Sequence, residues 1–329
     1  MSFLSIIVAL VLIFDFINGF HDSANSIACV VSTKVLSPIA AVTMAAFFSF
    51  MAFFVFHLKV ASTISYGVVR PDAINLNVIA AATVAAIIWN LLTWWWGLPS
   101  SSSHTLVGGL IGAAITSSGF GSVITSGVIK IIAFIFIAPL LGFILSYTLS
   151  TLIMWIFRKL SPYTIDKWFR RLQIISASSF SLGHGGNDAQ KSMGLIWAAM
   201  IITGAVSQDA EMPPIWVVLS CYSALALGTL FGGWRIVKTM GQKITKIKPF
   251  EGFCAETAGS LALVTATHWG IPVSTTHTIT GAIIGVGARK GVTAVKWGMT
   301  RKIYWAWILT IPLSGIIGGI TYLLFNYLN

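Results

Sequence analysis

Two stretches of this chain repeat one another without a gap. Residues 96–112 read W-G-L-P-S-S-S-S-H-T-L-V-G-G-L-I-G, and residues 269–285 read W-G-I-P-V-S-T-T-H-T-I-T-G-A-I-I-G. Nine of the seventeen positions are identical, at a constant offset of 173. A second pair lies upstream: N-G-F-H-D-S-A-N-S from Asn18 and H-G-G-N-D-A-Q-K-S from His184, with Asp22 facing Asp188 at an offset of 166. The words keep the same order in each half, so a unit has been duplicated. Both pairs sit inside long apolar runs. Polar islands that recur at membrane depth are what a transporter needs for a central site between two repeats.

Composition places the chain in a bilayer. Hydrophobic residues make up 56% of it and charged residues 9%, against about 25% charged in a soluble domain. The first apolar run has no basic segment before it, carries Asp15 and Asn18 and leads into the first motif, so it reads as a retained span rather than a cleaved signal. The net charge of +11 would suit a nucleic-acid ligand if the basic residues formed one patch. Instead they cluster in three short loops, Arg158 to Arg171, Arg235 to Lys248 and Arg289 to Lys302, the positive-inside pattern of cytoplasmic loops. No nucleic-acid partner is expected. Cys29, Cys221 and Cys254 are odd in number, lack C-x-x-C spacing and fall in or beside apolar spans; they read as small buried residues.

Each half offers five apolar segments. In the first they are 3–20 continuing over 24–33, 38–57, 77–96, 99–116 and 124–157. In the second they are 173–183 continuing through 192–206, then 215–232, 250–268, 271–288 and 303–327. The first segment of each half is expected to be broken at its Asp motif. Segments three and four are joined by only W-G-L-P or W-G-I-P, a very short link for two full antiparallel spans; they form either such a there-and-back pair or a re-entrant hairpin, and neither adds a net crossing. Each half then crosses an odd number of times, and the halves are inverted. The fold expected is an all-α polytopic membrane protein of two inverted repeats, residues 1–157 and 173–329, joined by a cytoplasmic linker at 158–172. Loop 207–214, with Asp209 and Glu211, falls outside; loop 58–76 falls outside despite Lys59 and Arg70. His57 and His268 mark span ends at the interface.

The chemistry concentrates in the repeated words. Ser100, Ser101, Ser102, Ser103 and Thr105 follow Pro99; Ser274, Thr275, Thr276 and Thr278 follow Pro272. Proline suits the first turn of a helix and serine or threonine its cap, so each word opens segment four. Two such N-termini, with their unpaired N–H groups and added hydroxyls, would cradle a tetrahedral oxyanion from both sides. A lone serine pair would more simply bond back to its own helix; matched clusters argue for a site. Asp22, Asp188 and Glu256 are intramembrane acids, functional by default. With Asn25, Asn187, Gln190 and Lys191 nearby they offer hard ligands for Na⁺ or a hydrated divalent ion, or a carboxylate for H⁺. A structural Asp188–Lys191 pair is the plainer alternative. His21, His184, His104 and His277 could relay protons or bond an oxyanion, or simply orient backbone. Gly108-x-x-x-Gly112 and Gly281-x-x-x-Gly285 read as small faces for close helix contact. Trp94, Trp95, Trp96 and Trp269 fit either an interfacial belt or packing at a hairpin tip.

At these residues the chain resembles the PiT family of inorganic phosphate transporters. N-G-F-H-D-S-A-N at 18–25 and G-G-N-D-A-Q-K-S-M-G at 185–194 match the family signatures, and the L-P-S-S-S-S-H-T and I-P-V-S-T-T-H-T words are equally typical. The resemblance runs over nearly the whole chain. It implies symport of inorganic phosphate with a cation, an inverted-repeat fold with hairpins, and a homodimer, in a bacterial inner (cell) membrane. It implies that Ser101, Ser102, Ser103 and Thr105, with Ser274, Thr275, Thr276 and Thr278, bind phosphate. Asp22, Asn25, Asn187, Asp188 and Glu256 would serve the coupling ion, and His21, His104, His277, Gln190 and Lys191 the proton or phosphate. One departure bears on the ion. Sodium-coupled members carry a glutamate in the second span where this chain has Ser49. The W-N-L-L-T-W-W-W-G-L-P stretch resembles the proton-coupled, low-affinity branch, which is associated with divalent metal–phosphate complexes. H⁺ is therefore expected over Na⁺, with no further cofactor.

Two other classes compete. An intramembrane hydrolase could use Ser, His and Asp, but the chain has no G-x-S-x-G or H-E-x-x-H word and catalysis does not require duplicated words. A passive anion channel would tolerate hydroxyl-lined hairpins but has little need of paired intramembrane acids.

Overall fold

The computed structural model describes residues 3–56, 67–207, 209, 210, 212–268 and 273–328. Trp269, Pro272, His57, Lys59 and Glu211 lie outside the described residues, as does the side chain of His268. Among the described residues the chain forms eleven α-helices. The first repeat contributes α1 (Phe3–Ser32), α2 (Pro38–Val55), α3 (Leu76–Trp96), α4 (Ser102–Ser118) and α5 (Thr125–Ile156). The second contributes α6 (Pro162–Ile202), α7 (Ile215–Phe231), the short α8 (Trp234–Lys238), α9 (Pro249–His268), α10 (Thr275–Lys290) and α11 (Trp297–Leu328). Five of them, α1, α2, α3, α5 and α11, are long and apolar enough to cross a bilayer; α7 with the following Trp234–Lys243 would make a sixth span, bent by 59°.

One expectation changes here. The Asp motifs do not break their spans: α1 runs unbroken through Asn18–Ser26 and α6 through His184–Ser192. Asp22, Asn25, Asp188 and Lys191 find hydrogen-bond partners among neighbouring side chains while both helices stay closed. The basic stretch 158–172 is mostly helix, since α6 starts at Pro162 behind an Ser161 cap whose hydroxyl accepts from the Thr164 N–H.

Packing is inside-out relative to a soluble protein. Large apolar side chains face outward along α5 and α11, among them Ile129, Phe136, Leu140, Ile316 and Leu323, while the polar words are buried. Such a surface is stable only against lipid. Inside, two apolar clusters are separated by a polar layer. One joins the start of α1 (Ile7, Val11, Phe14) to the end of α6 (Met193, Ile196, Met200). The other joins the end of α1 (Ala24, Ile27, Val30) to the start of α6 (Ala177, Phe180). The first helix of each repeat therefore crosses its counterpart antiparallel. Side-chain bonds along the crossing follow the same order: Ser192 donates to Asp15, His184 and Asp188 lie by Asp22, and Thr33 donates to Gln173. The repeats are inverted.

The repeats also exchange their last helices. α5 packs on α10 of the second hairpin and α11 on α4 of the first. The glycine pairs lie at those crossings. A Cβ at Gly112 would overlap the Gly315 carbonyl on α11, and one at Gly281 the Pro139 carbonyl on α5. Pro139 and Pro312, again 173 apart, sit inside α5 and α11. A helical proline leaves the carbonyl four residues before it without its usual partner; for Pro139 that carbonyl is Ile135, which faces the His277 ring.

Candidate functional site

The hairpin tips reach the polar layer. α3 ends at Gly97, whose φ of 66° closes the helix, and α4 begins five residues later. Ser101 caps α4 and Ser274 caps α10: each hydroxyl accepts from the backbone N–H of the histidine three residues on. Pro99 lies ahead of the cap rather than in the first turn, and its carbonyl accepts from the Trp307 indole at 2.8 Å. Thr105 and Thr278 donate to the carbonyls of Ser101 and Ser274, both at 2.9 Å. Of the eight hydroxyl residues expected to bind phosphate, these four hold the helix starts together. Ser102, Ser103, Thr275 and Thr276 are the four that meet polar groups of α1 and α6.

Spacing explains how. Asp22 and Asn25 lie one turn apart on one face of α1, as Asp188 and Lys191 do on α6. Ser102 donates to Asp22 Oδ2 at 3.3 Å. The Asn25 amide donates to Thr276 Oγ1 at 2.9 Å and to Thr275 Oγ1 at 3.4 Å. On the other side the Lys191 ammonium donates to Asp188 Oδ1 and to Ser103 Oγ, each at 2.5 Å. His184 Nε2 lies 3.1 Å from Asp188 Oδ2. Asp22, His184 and Asp188 each present a ligand atom within 4.8 Å of the others. Two carboxylates from opposite repeats thus share one buried space with two hydroxyl-bearing helix N-termini. Only Ser103 among the four hydroxyl residues is more than marginally exposed.

His21 extends the network into α3. Its Nδ1 lies 2.6 Å from Asp22 Oδ1 and its Nε2 3.0 Å from Thr93 Oγ1. Ser100 donates to the same Thr93 oxygen at 2.9 Å. His104 and His277 meet each other edge to face, with ring centroids 4.8 Å apart, behind the tips; His277 stacks on Trp307 at 4.0 Å. Asn187 is fully buried, and both atoms of its amide lack a partner among the described residues. Gln190 is fully buried as well.

Glu256 is not brought to this place. It accepts from Ser176 at 2.7 Å and from Gln173 at 3.4 Å. Ser176 is about 18 Å along α6 from Asp188 at 1.5 Å per residue. Repeat matching could not find this partner set, nor Thr93. The counterparts of Asn90 and Thr93 are Leu263 and Ala266, and that of Glu256 is Thr83. The signal available for Thr93 was its pairing with Asn90 one turn apart in the apolar second half of the helix. Asp15 was a further unmatched acid; it is fully buried and accepts from Ser192 at 2.5 Å.

Comparison with known proteins came to the same words. The phosphate transporter family model matches the chain twice, over residues 18–165 and 158–318. A Rhizobium meliloti (strain 1021) protein is 52% identical over 316 residues, covering 96% of this chain and 94% of its own length. A Bacillus subtilis (strain 168) protein is 44% identical over 323 residues, covering 98% and 96%. Both are described as a "probable low-affinity inorganic phosphate transporter". A solved structure described as "The sodium-dependent phosphate transporter" matches at a TM-score of 0.91 over 100% of both chains, at 24% identity, a likeness of fold.

Proposed function

This chain belongs to the phosphate transporter family, and on that premise we propose that it imports inorganic phosphate by symport with H⁺. The observation that carries the reading is the meeting of Ser102 and Ser103 with Thr275 and Thr276 around the Asp22–Asp188 pair. Hydroxyls and unpaired helix N–H groups bind the oxyanion. The carboxylates repel it until a cation loads them, so binding of anion and cation is reciprocal, and symport follows.

Two features support H⁺ as that cation. Thr93 Oγ1 donates to the Trp89 and Asn90 carbonyls, so it accepts from His21 Nε2. The 2.6 Å approach of His21 Nδ1 to Asp22 Oδ1 sets an imidazole, a side chain suited to relaying protons, against a site carboxylate. Ser49 adds a hydroxyl, donated to the Ser181 carbonyl at 3.2 Å, where a sodium-coupled relative would have an acid. A second reading, phosphate entering with a divalent metal, draws on the Asp22–His184–Asp188 grouping, whose oxygen and imidazole donors suit such a cation. The protein works as a homodimer in the bacterial inner membrane, with the 158–171 loop cytoplasmic and the 207–214 loop outside.

Proteoliposome uptake of labelled phosphate tests this, with pH and Na⁺ gradients imposed separately. Wild-type protein should accumulate phosphate on a pH gradient alone and exchange labelled for unlabelled phosphate, which a channel does not. Asp22→Asn should lose accumulation while keeping some phosphate binding. Uptake that requires Na⁺ at fixed pH, with membrane potential clamped, overturns the choice of ion.

A further inference from the structure

At one pair of matching positions in the site, the two repeats place donors of different charge. Asn25 and Lys191 are 166 apart, the offset that relates Asp22 to Asp188. Each reaches across to the hydroxyl word of the other repeat, and to the same place in it. Asn25 donates to Thr276, Lys191 to Ser103, and these two are themselves 173 apart. The half-sites therefore share a carboxylate, a donor and a hydroxyl acceptor. They differ in that one donor is a neutral amide and the other an ammonium, which also bonds Asp188 at 2.5 Å.

We propose that Lys191 is a tethered counter-cation standing where the second repeat would otherwise need a coupling ion, so that the protein moves one cation fewer per phosphate than its two-carboxylate site would require. A buried carboxylate without a cation is costly at membrane depth, and a phosphate anion beside it more so. The Asp188 half is balanced from within by Lys191. Among the described residues the Asp22 half has no lysine or arginine: Ser102 donates to Asp22, the His21 imidazole lies 2.6 Å from it, and the Asn25 amide one turn on is neutral. That half must take its charge from solution. The argument rests on the symport reading above but not on which ion is coupled.

The experiment counts cations. In proteoliposomes of the full chain, the phosphate gradient at zero net flux, set against an imposed gradient of the coupling cation, gives the number of cations per phosphate. Lys191→Asn, which gives both half-sites the same neutral donor at this position, should raise that number by one over wild type. The purified variant should also show phosphate affinity that depends on one further power of the cation concentration. The reciprocal Asn25→Lys should lower the exponent by one. An unchanged count in Lys191→Asn, with wild-type accumulation intact, overturns the proposal alone; failure of wild type to accumulate removes the symport reading as well. Folded Lys191→Asn and Lys191→Gln that bind no phosphate at saturating cation would make Lys191 a direct phosphate ligand. Failure of every variant to fold would make it structural. Either result also overturns the proposal.

Discussion

Replacing Ser102 and Thr275 together by alanine removes one hydroxyl from each hairpin tip at repeat-related positions. A hydrogen bond from a hydroxyl to a charged acceptor is worth about 1.5–3 kcal/mol. Two such bonds to phosphate amount to about 3–6 kcal/mol, or roughly 10²–10⁴ in affinity at about 1.4 kcal/mol per tenfold. The fold should lose much less. Ser102 reaches Asp22 at 3.3 Å and Thr275 receives Asn25 at 3.4 Å, both long, and interhelical hydrogen bonds in membranes average about 0.6 kcal/mol. Phosphate binding to purified protein in nanodiscs, read beside the melting temperature, separates the two effects. Thr105→Val with Thr278→Val is the internal contrast. Those hydroxyls already donate to their own helices at 2.9 Å, so affinity should stay within about threefold, since little but local helix bonding is removed. Near-wild-type affinity in the first double variant, or an equal loss in the second, would refute the division of the words into four binding and four structural residues.

Ser101→Ala and Ser274→Ala should each lower stability by about 1 kcal/mol through loss of a helix cap, seen as a lower melting temperature. Gly112→Leu and Gly281→Leu should each disrupt one exchanged-helix crossing, by about 3 kcal/mol or more because backbone fills the space a side chain would need; monodisperse protein with an unshifted melting curve would count against that packing. Single cysteines at Ser161 and Ser207, in a background lacking Cys29, Cys221 and Cys254, should label from opposite faces of the membrane, and labelling from one face would contradict the proposed topology. Glu256→Ala should cost about 1–3 kcal/mol by stranding Ser176 and Gln173 while leaving phosphate affinity within about threefold; a loss as large as that of the Ser102/Thr275 pair would return Glu256 to the site.

The repeat alone made much of this molecule legible. Two offsets, 166 and 173, announced paired helices and paired hairpins, and apolar run length announced a bilayer, because spacing and hydropathy are local properties of a chain. The glycine pairs were readable as close-contact faces for the same reason. Which helix each one meets was not, since the exchange of α5 and α11 between repeats involves residues more than a hundred positions apart. The expected breaks at Asp22 and Asp188 misjudged a balance that sequence does not contain. Thr93, Ser102, Ser103 and Thr276 bond the polar side chains of the motifs from other elements, so those groups are paired without opening the helix backbone. Glu256 was expected in the site as an intramembrane acid; it accepts from Gln173 and Ser176 instead. Sequence by itself thus determined the duplication, the membrane setting and the residue types of the candidate site. Tertiary structure decided which of those residues share a space, because convergence across an antiparallel crossing depends on helix depth and rotation, and each is set by packing partners far away in the chain.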